Sequence, residues 1–172
     1  VMSAVDLPLG YTSGRVATAV VNEVYRKFMP KELMDTEVMY LHAHGPGLLH
    51  TKGKMVAKLE DMKGLKIRSG GKVESWINEA LGATPLEFET GELSTAMERG
   101  LVQGAWLTNS AVMAFGVKDV TQYRTKIGLF PRAWVIVMNM DTWNGLPDDI
   151  KQIIADNSGG IKSAEYCVAN DA

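Results

Sequence analysis

Residues 59–71 read LEDMKGLKIRSGG. A charged lead-in, Glu60, Asp61 and Lys63, runs into a short apolar strand, Leu65-Lys66-Ile67. The strand delivers Arg68 to its C-terminal end. Ser69-Gly70-Gly71 then forms a small-residue turn before an amphipathic helix. In open α/β sheets, ligands bind beyond the carboxyl ends of strands. A guanidinium fork matches a carboxylate in two parallel hydrogen bonds. The helix N-terminus behind it brings N–H groups and positive dipole. Spacing alone leaves two readings of Arg68. One is a carboxylate ligand; the other is a surface residue that ends a strand, the common fate of an isolated arginine.

Around this stretch the chain alternates strand and helix. The helix after Arg68 is expected to bury Val73, Trp76, Ile77, Ala80 and Leu81, with Gly82 just past its end. Residues 85–88, PLEF, read as a second strand, and 102–107 as a third. Thr90 is placed to cap a helix over 91–99. Two βα units followed by a strand predict a small parallel sheet with helices packed on it. Upstream, Ser13 reads as an N-cap, and Val16, Val20, Val24 and Phe28 as a buried helical stripe with Ala17 and Val21 beside it. Residues 37–44 read as a strand, 112–117 as a short helix or loop, and 133–139 as a buried strand. Pro147 opens a last helix with Ile150, Ile153 and Ile154 turned inward.

The whole chain limits the function classes. It has 172 residues, 46% of them hydrophobic, and a net charge of −2, which disfavours disorder. A pI near 5.9 leaves no electrostatic footprint for nucleic acid or anionic membrane. The longest apolar run, 133–138, is strand-sized, so no direct membrane insertion is expected. The opening residues do not read as a signal peptide. Cys167 is the sole cysteine, so no internal disulfide forms. His42, His44 and His50 match no standard metal spacing and have no acidic or thiol ligand among them. No nucleophile elbow, phosphate loop, dinucleotide fingerprint or Cys–His pair occurs, so no catalytic residue and no cofactor are expected.

The wording of three segments carries a family likeness. LEDMKGLKIR at 59–68, ALGATPLEF at 80–88 and AMERGLVQGAW at 96–106 resemble the extracytoplasmic solute-binding proteins of TRAP transporters, the C4-dicarboxylate-binding type. His44-Gly45-Pro46-Gly47 and His50-Thr51-Lys52 look like that family's crossover between lobes. Val137-Met138-Asn139, Trp143-Asn144-Gly145-Leu146-Pro147 and IIADNSG at 153–159 look like its late strand and last helix. Gln103 departs from the family, which has an aspartate there.

The resemblance implies a two-lobed α/β fold of the type II periplasmic-binding-protein kind. It implies that 1–52 belongs to lobe I, 53–112 forms the core of lobe II, and 113–172 is shared hinge and C-terminal helix. Such proteins run to roughly twice this size, two lobes of ordinary domain length, so the chain reads as a fragment. By resemblance Arg68 clamps a ligand carboxylate. Trp106, Thr108, Asn109 and Thr90 shape the pocket, and His44 stands at its edge. Trp106 keeps a second reading as packed core.

The implied function is a periplasmic one: binding of a small organic anion and delivery to membrane transporter subunits, with no enzyme activity. An α/β enzyme acting on a small carboxylate substrate is the alternative. The sialic-acid-binding branch carries a second arginine twenty positions before the first; here that position is Leu48, which points away from sialic acid.

Overall fold

The computed structural model describes residues 2–159; Cys167 and the tail from Gly160 lie outside them. In chain order the elements are α1 (Gly14–Phe28), β1 (Thr36–Ala43), β2 (Leu48–Thr51), β3 (Lys66–Ser69), α2 (Lys72–Ala80), β4 (Thr84–Glu87), α3 (Leu93–Glu98), β5 (Gly104–Leu107), α4 (Asn109–Ala114), β6 (Tyr123–Thr125), β7 (Ala133–Asn139), α5 (Met140–Asn144) and α6 (Asp148–Asp156). They fall into two compact units. One takes the chain up to Pro46 and again from Leu129; the other is Gly47–Gly128.

The second unit is built on a five-stranded sheet in the order β4-β3-β5-β2-β6. β3 runs parallel to β4 and β5, as the two βα units require. The sheet is nevertheless mixed, not purely parallel, because β2 runs antiparallel to both β5 and β6. β2 therefore belongs with this unit and not with 1–52, and the unit extends past 112 to take in β6. Strands of four and three residues are too short to show a period, and β2 follows a glycine-rich stretch that read as crossover.

Pairing register sorts the side chains by face. Arg68 lies opposite Leu86 and Ala105, so these share one face with Leu107. That face carries the main core: Leu93 and Met97 of α3, Val102, Ala105 and Leu107, with Val112 of α4, Val117 and Val120. Lys52 Nζ donates to the carbonyls of Met97 and Glu98 at 2.9 and 3.0 Å, closing the C-terminus of α3. Gln103 Oε1 accepts from Lys66 N at 3.1 Å, so the residue that departs from the family pattern serves the sheet.

Gly104 fills a space with no room for a methyl group. A Cβ there would lie 2.9 Å from His50 O, Ile67 Cδ1 and Thr51 Cγ2. Gly104→Ala is expected to cost about 1–3 kcal/mol, because overpacking forces the strands apart. The denaturation midpoint checks this; an unchanged midpoint would show that the sheet has slack.

The opposite face holds a surprise in α2. Its buried residues are polar, Glu74 and Asn78, which are 3% and 0% exposed, while Trp76 is 62% exposed. The apolar stripe expected over Trp76 and Ala80 is thus rotated outward. Glu74 Oε2, which accepts from Gly70 N in the turn, and Asn78 Nδ2, which donates to Ser69 Oγ at the end of β3, set that rotation.

In the first unit α1 packs on a two-stranded ribbon, β1 against β7, antiparallel. Ser13 Oγ accepts from Val16 N at 3.2 Å, so the cap stands as read. The buried face of α1, however, is Gly14, Ala17, Thr18 and Val21; Val16 and Phe28 are 45% and 58% exposed. Thr18 explains the offset. Its hydroxyl takes the N–H of Ala43 at 2.8 Å and meets the Ala43 carbonyl at 3.2 Å. Asn22 Nδ2 donates to Leu41 O at 3.1 Å, so α1 satisfies the β1 edge that β7 does not. Val5, Val21 and Leu41 form the core here.

β7 is not the buried strand the sequence predicts: Trp134, Ile136 and Val137 are 47%, 40% and 41% exposed. A two-stranded ribbon with a helix on one face leaves its other face uncovered among the described residues. For the same reason Ile150 and Ile153 of α6 are 39% and 57% exposed and do not turn into a core.

His42 of β1 is buried, stacked on Tyr40 with ring centroids 5.9 Å apart and edge-on to His44 at 5.4 Å. Burial first, and His44 second, push its pKa down from 6.5 to about 4. The native state thus refuses a proton that the unfolded state accepts. Stability is full above pH 6.5 and is lost as pH falls from 6.5 toward 4, by about 3 kcal/mol at most. Asp6, whose carboxyl is raised by burial, works in the opposite direction at the acid end. Urea unfolding at pH 7 and pH 4.5 should show the loss, and His42→Gln should flatten it. An identical pH slope in the variant would assign the loss to other groups.

Candidate functional site

Arg68 leaves β3 toward α3 and is only 7% exposed, so it is not a surface strand end. Its Nε donates to the Phe88 carbonyl at 3.0 Å, and Nη2 donates to Thr90 Oγ1 at 2.8 Å. Thr90 does not cap a helix. It opens a short 3-10 turn, Thr90–Glu92, and neither that turn nor α3 has a side-chain cap. The hydroxyl serves Arg68 instead. Two bonds, from Nε and Nη2, fix the plane of the guanidinium, which is what presenting a fork to a carboxylate requires.

Arg68 lines an open cavity of about 320 Å³ with the turn Ser69-Gly70-Gly71 and with Glu87, Phe88, Glu89 and Glu92. The three glutamates are exposed. Charges in water are screened over roughly 8 Å at physiological salt, a buried guanidinium much less so. The Gly70 N–H is already used: it donates to Glu74 Oε2 at 2.8 Å. The turn is therefore held by its own helix, and the N–H supply expected from it is smaller by one.

Behind the turn runs a buried polar chain. Trp106 Nε1 donates to Asn78 Oδ1 at 2.8 Å, and Asn78 Nδ2 donates to Ser69 Oγ at 2.9 Å. Trp106 is 6% exposed and lies on the sheet face opposite Arg68. The chain ties α2, β3 and β5 together beside Arg68.

The other expected residues are dispersed. Thr108 caps α4, accepting from Ala111 N at 3.3 Å. Asn109 lines a second cavity, and its Oδ1 accepts from Arg124 Nη1 at 3.3 Å. His44 lies in the first unit, edge-on to Trp134 at 6.1 Å. The structure thus brings Arg68 and Thr90 together. Arg124, Glu74 and Asn78 were not picked out from the sequence. Arg124 had one cue, its place between Tyr123 and Thr125 in a strand-like triplet. Glu74 and Asn78 had none, since polar residues on a helix read as its wet face. Among the described residues no group of His, Cys, Asp and Glu could hold a metal ion, and no helix is long and apolar enough to cross a membrane.

Comparison with known proteins agrees in fold and in family. The chain is similar to a TRAP solute-binding protein of Rhodoferax ferrireducens, solved in complex with copurified benzoate: TM-score 0.93, 27% identity, over 99% of this chain and 54% of that one. It is also similar to a TRAP periplasmic solute-binding protein of Desulfovibrio salexigens, with TM-score 0.78 and 31% identity over 99% of this chain and 52% of that one. A solute-binding protein of Albidiferax ferrireducens is 26% identical over 112 residues, 63% of this chain and 33% of that protein. The chain spans about half the length of the solved relatives. Its architecture is that of a two-lobed periplasmic binding protein, in part. The pattern of the bacterial extracellular solute-binding proteins, family 7, matches residues 1–166, and the chain belongs to that family, DctP.

Proposed function

We propose that this chain is part of a periplasmic receptor that binds a small organic acid and hands it to TRAP-type membrane transporter subunits. No bond is made or broken. Arg68 receives the carboxylate, and Thr90 holds the guanidinium in place for it. Trp106 acts as the rigid wall behind the site, bracing β3 through Asn78 and Ser69. The observation that carries this reading is a buried arginine, fixed by two hydrogen bonds, at the wall of a cavity. Such a group has lost much of its water and can offer charge-assisted hydrogen bonds to an anionic solute.

Membership of a solute-binding family supports the transport role. The benzoate found with the Rhodoferax ferrireducens protein supports an acid with an apolar body as the first candidate. The test is thermal unfolding in the presence of benzoate, succinate, lactate and glutamate. A ligand that binds only the native state raises the midpoint with concentration. At least one acid is expected to do so. If none does, at concentrations where the buffer anion also fails to, the receptor reading falls.

A further inference from the structure

The second cavity, about 320 Å³, lies wholly within Gly47–Gly128. Two cationic side chains, Arg124 and Lys118, stand on its wall with Val112, Met113 and Asn109. His50 also lines it, at 4% exposure, and His50 Nε2 is buried with no hydrogen-bond partner. The ring bonds the Leu107 carbonyl. With Nε2 unpartnered, the nitrogen that donates there is Nδ1, so a neutral His50 keeps a bare, covered lone pair in the wall of the cavity. Burial, and then Arg124, hold its pKa below 6.5, which keeps the ring neutral at pH 7. A buried acceptor without a donor is costly unless something comes to fill it.

We propose that this cavity is a second binding site, for a short 2-hydroxy acid with an apolar tail, independent of Arg68. Arg124 takes the carboxylate, His50 Nε2 accepts the hydroxyl hydrogen, and Val112 and Met113 cover the tail. The register sets the spacing. His50 and Arg124 are directly opposite on β2 and β6, where Cβ atoms are roughly 4.5–5.5 Å apart. The two side chains therefore rise side by side from one face of the sheet. The distance to the first site sets the independence. Arg68 on β3 is three strand steps from Arg124 on β6, roughly 14 Å at ordinary sheet spacing. One small acid does not bridge them. Nε2 is itself covered, so entry needs a wall side chain to shift. Arg124 is suited to that: it is exposed, and its 3.3 Å bond to Asn109 is at the weak end of the range.

This inference goes beyond the receptor reading and does not rest on it. The test is nitrogen NMR of the histidine side chains, with His50 assigned from His50→Gln, during titration with 2-hydroxyisovalerate and with isovalerate. The hydroxy acid should shift His50 Nε2 in the parent and, with affinity unchanged within about twofold, in Arg68→Ala. Arg124→Gln should weaken that response by about tenfold or more, since charge and fork are both lost. Isovalerate should leave Nε2 unshifted. No shift with the hydroxy acid, an equal shift with isovalerate, or a shift lost in Arg68→Ala and kept in Arg124→Gln would each overturn the second site. Acid-induced stabilisation that persists in Arg124→Gln would leave the Arg68 reading intact in every one of those cases.

Discussion

Arg68→Ala is expected to weaken binding of the receptor's organic acid by roughly thirtyfold or more. The reasoning is geometric. The guanidinium is buried and is anchored by Phe88 O and Thr90 Oγ1, so it reaches the solute already oriented. Truncating one member of a desolvated charge pair costs on the order of 2–5 kcal/mol, much of it from the partner left unpaired. Arg68→Lys should recover only part of the loss. An ammonium keeps the charge but cannot serve a carbonyl, a hydroxyl and a carboxylate in one plane. Thr90→Val should weaken binding less than either, because it loosens the fork without removing it. Calorimetry on the parent and the three variants gives the order. Equal affinity in Arg68→Ala would make the arginine a structural strut between β3 and the segment after β4.

Asn78→Ala should destabilise the second unit by about 2–4 kcal/mol. Asn78 is fully buried and joins two groups that have no water to turn to, Trp106 Nε1 and Ser69 Oγ. Removing the amide orphans a donor and a hydroxyl and leaves a small cavity. A double-mutant cycle separates these effects. In a Trp106→Phe background the indole N–H is already gone, so Asn78→Ala should cost measurably less. Chemical denaturation of the four proteins is the measurement. Strict additivity would mean that the Trp106–Asn78 bond contributes nothing net.

The β3-α2-β4-α3-β5 run was legible because each element carries its own punctuation. Glycines follow the helices at Gly82 and Gly100, and short apolar strands follow the turns. Both glycines adopt positive φ, +83° and +72°, as helix ends require. What the sequence hid was pairing. β2 and β6 make the sheet mixed, yet neither is long enough to alternate visibly. Helix rotation was hidden too. On α1 and α2 the apolar positions pointed one way, and buried Thr18, Glu74 and Asn78 turned the helix another. Hydrogen bonds to the sheet outweigh a modest stripe of valines when the bonds would otherwise go unmade. Arg68 was singled out for its place at a strand end. Its partner Thr90 was named for the pocket, while its hydroxyl was assigned to a helix end. Asn109 and Arg124 meet across the loop that joins α4 to β6, and such a contact leaves no trace in spacing.

Recognition of a carboxylate by its charge is proposed to rest on Arg68. The most direct measurement is a calorimetric titration of the protein with benzoate and, separately, with benzamide, its neutral near-isostere. The amide is expected to bind about tenfold or more weakly than the acid, with the difference abolished in Arg68→Ala. Equal affinity for acid and amide in the parent would contradict it.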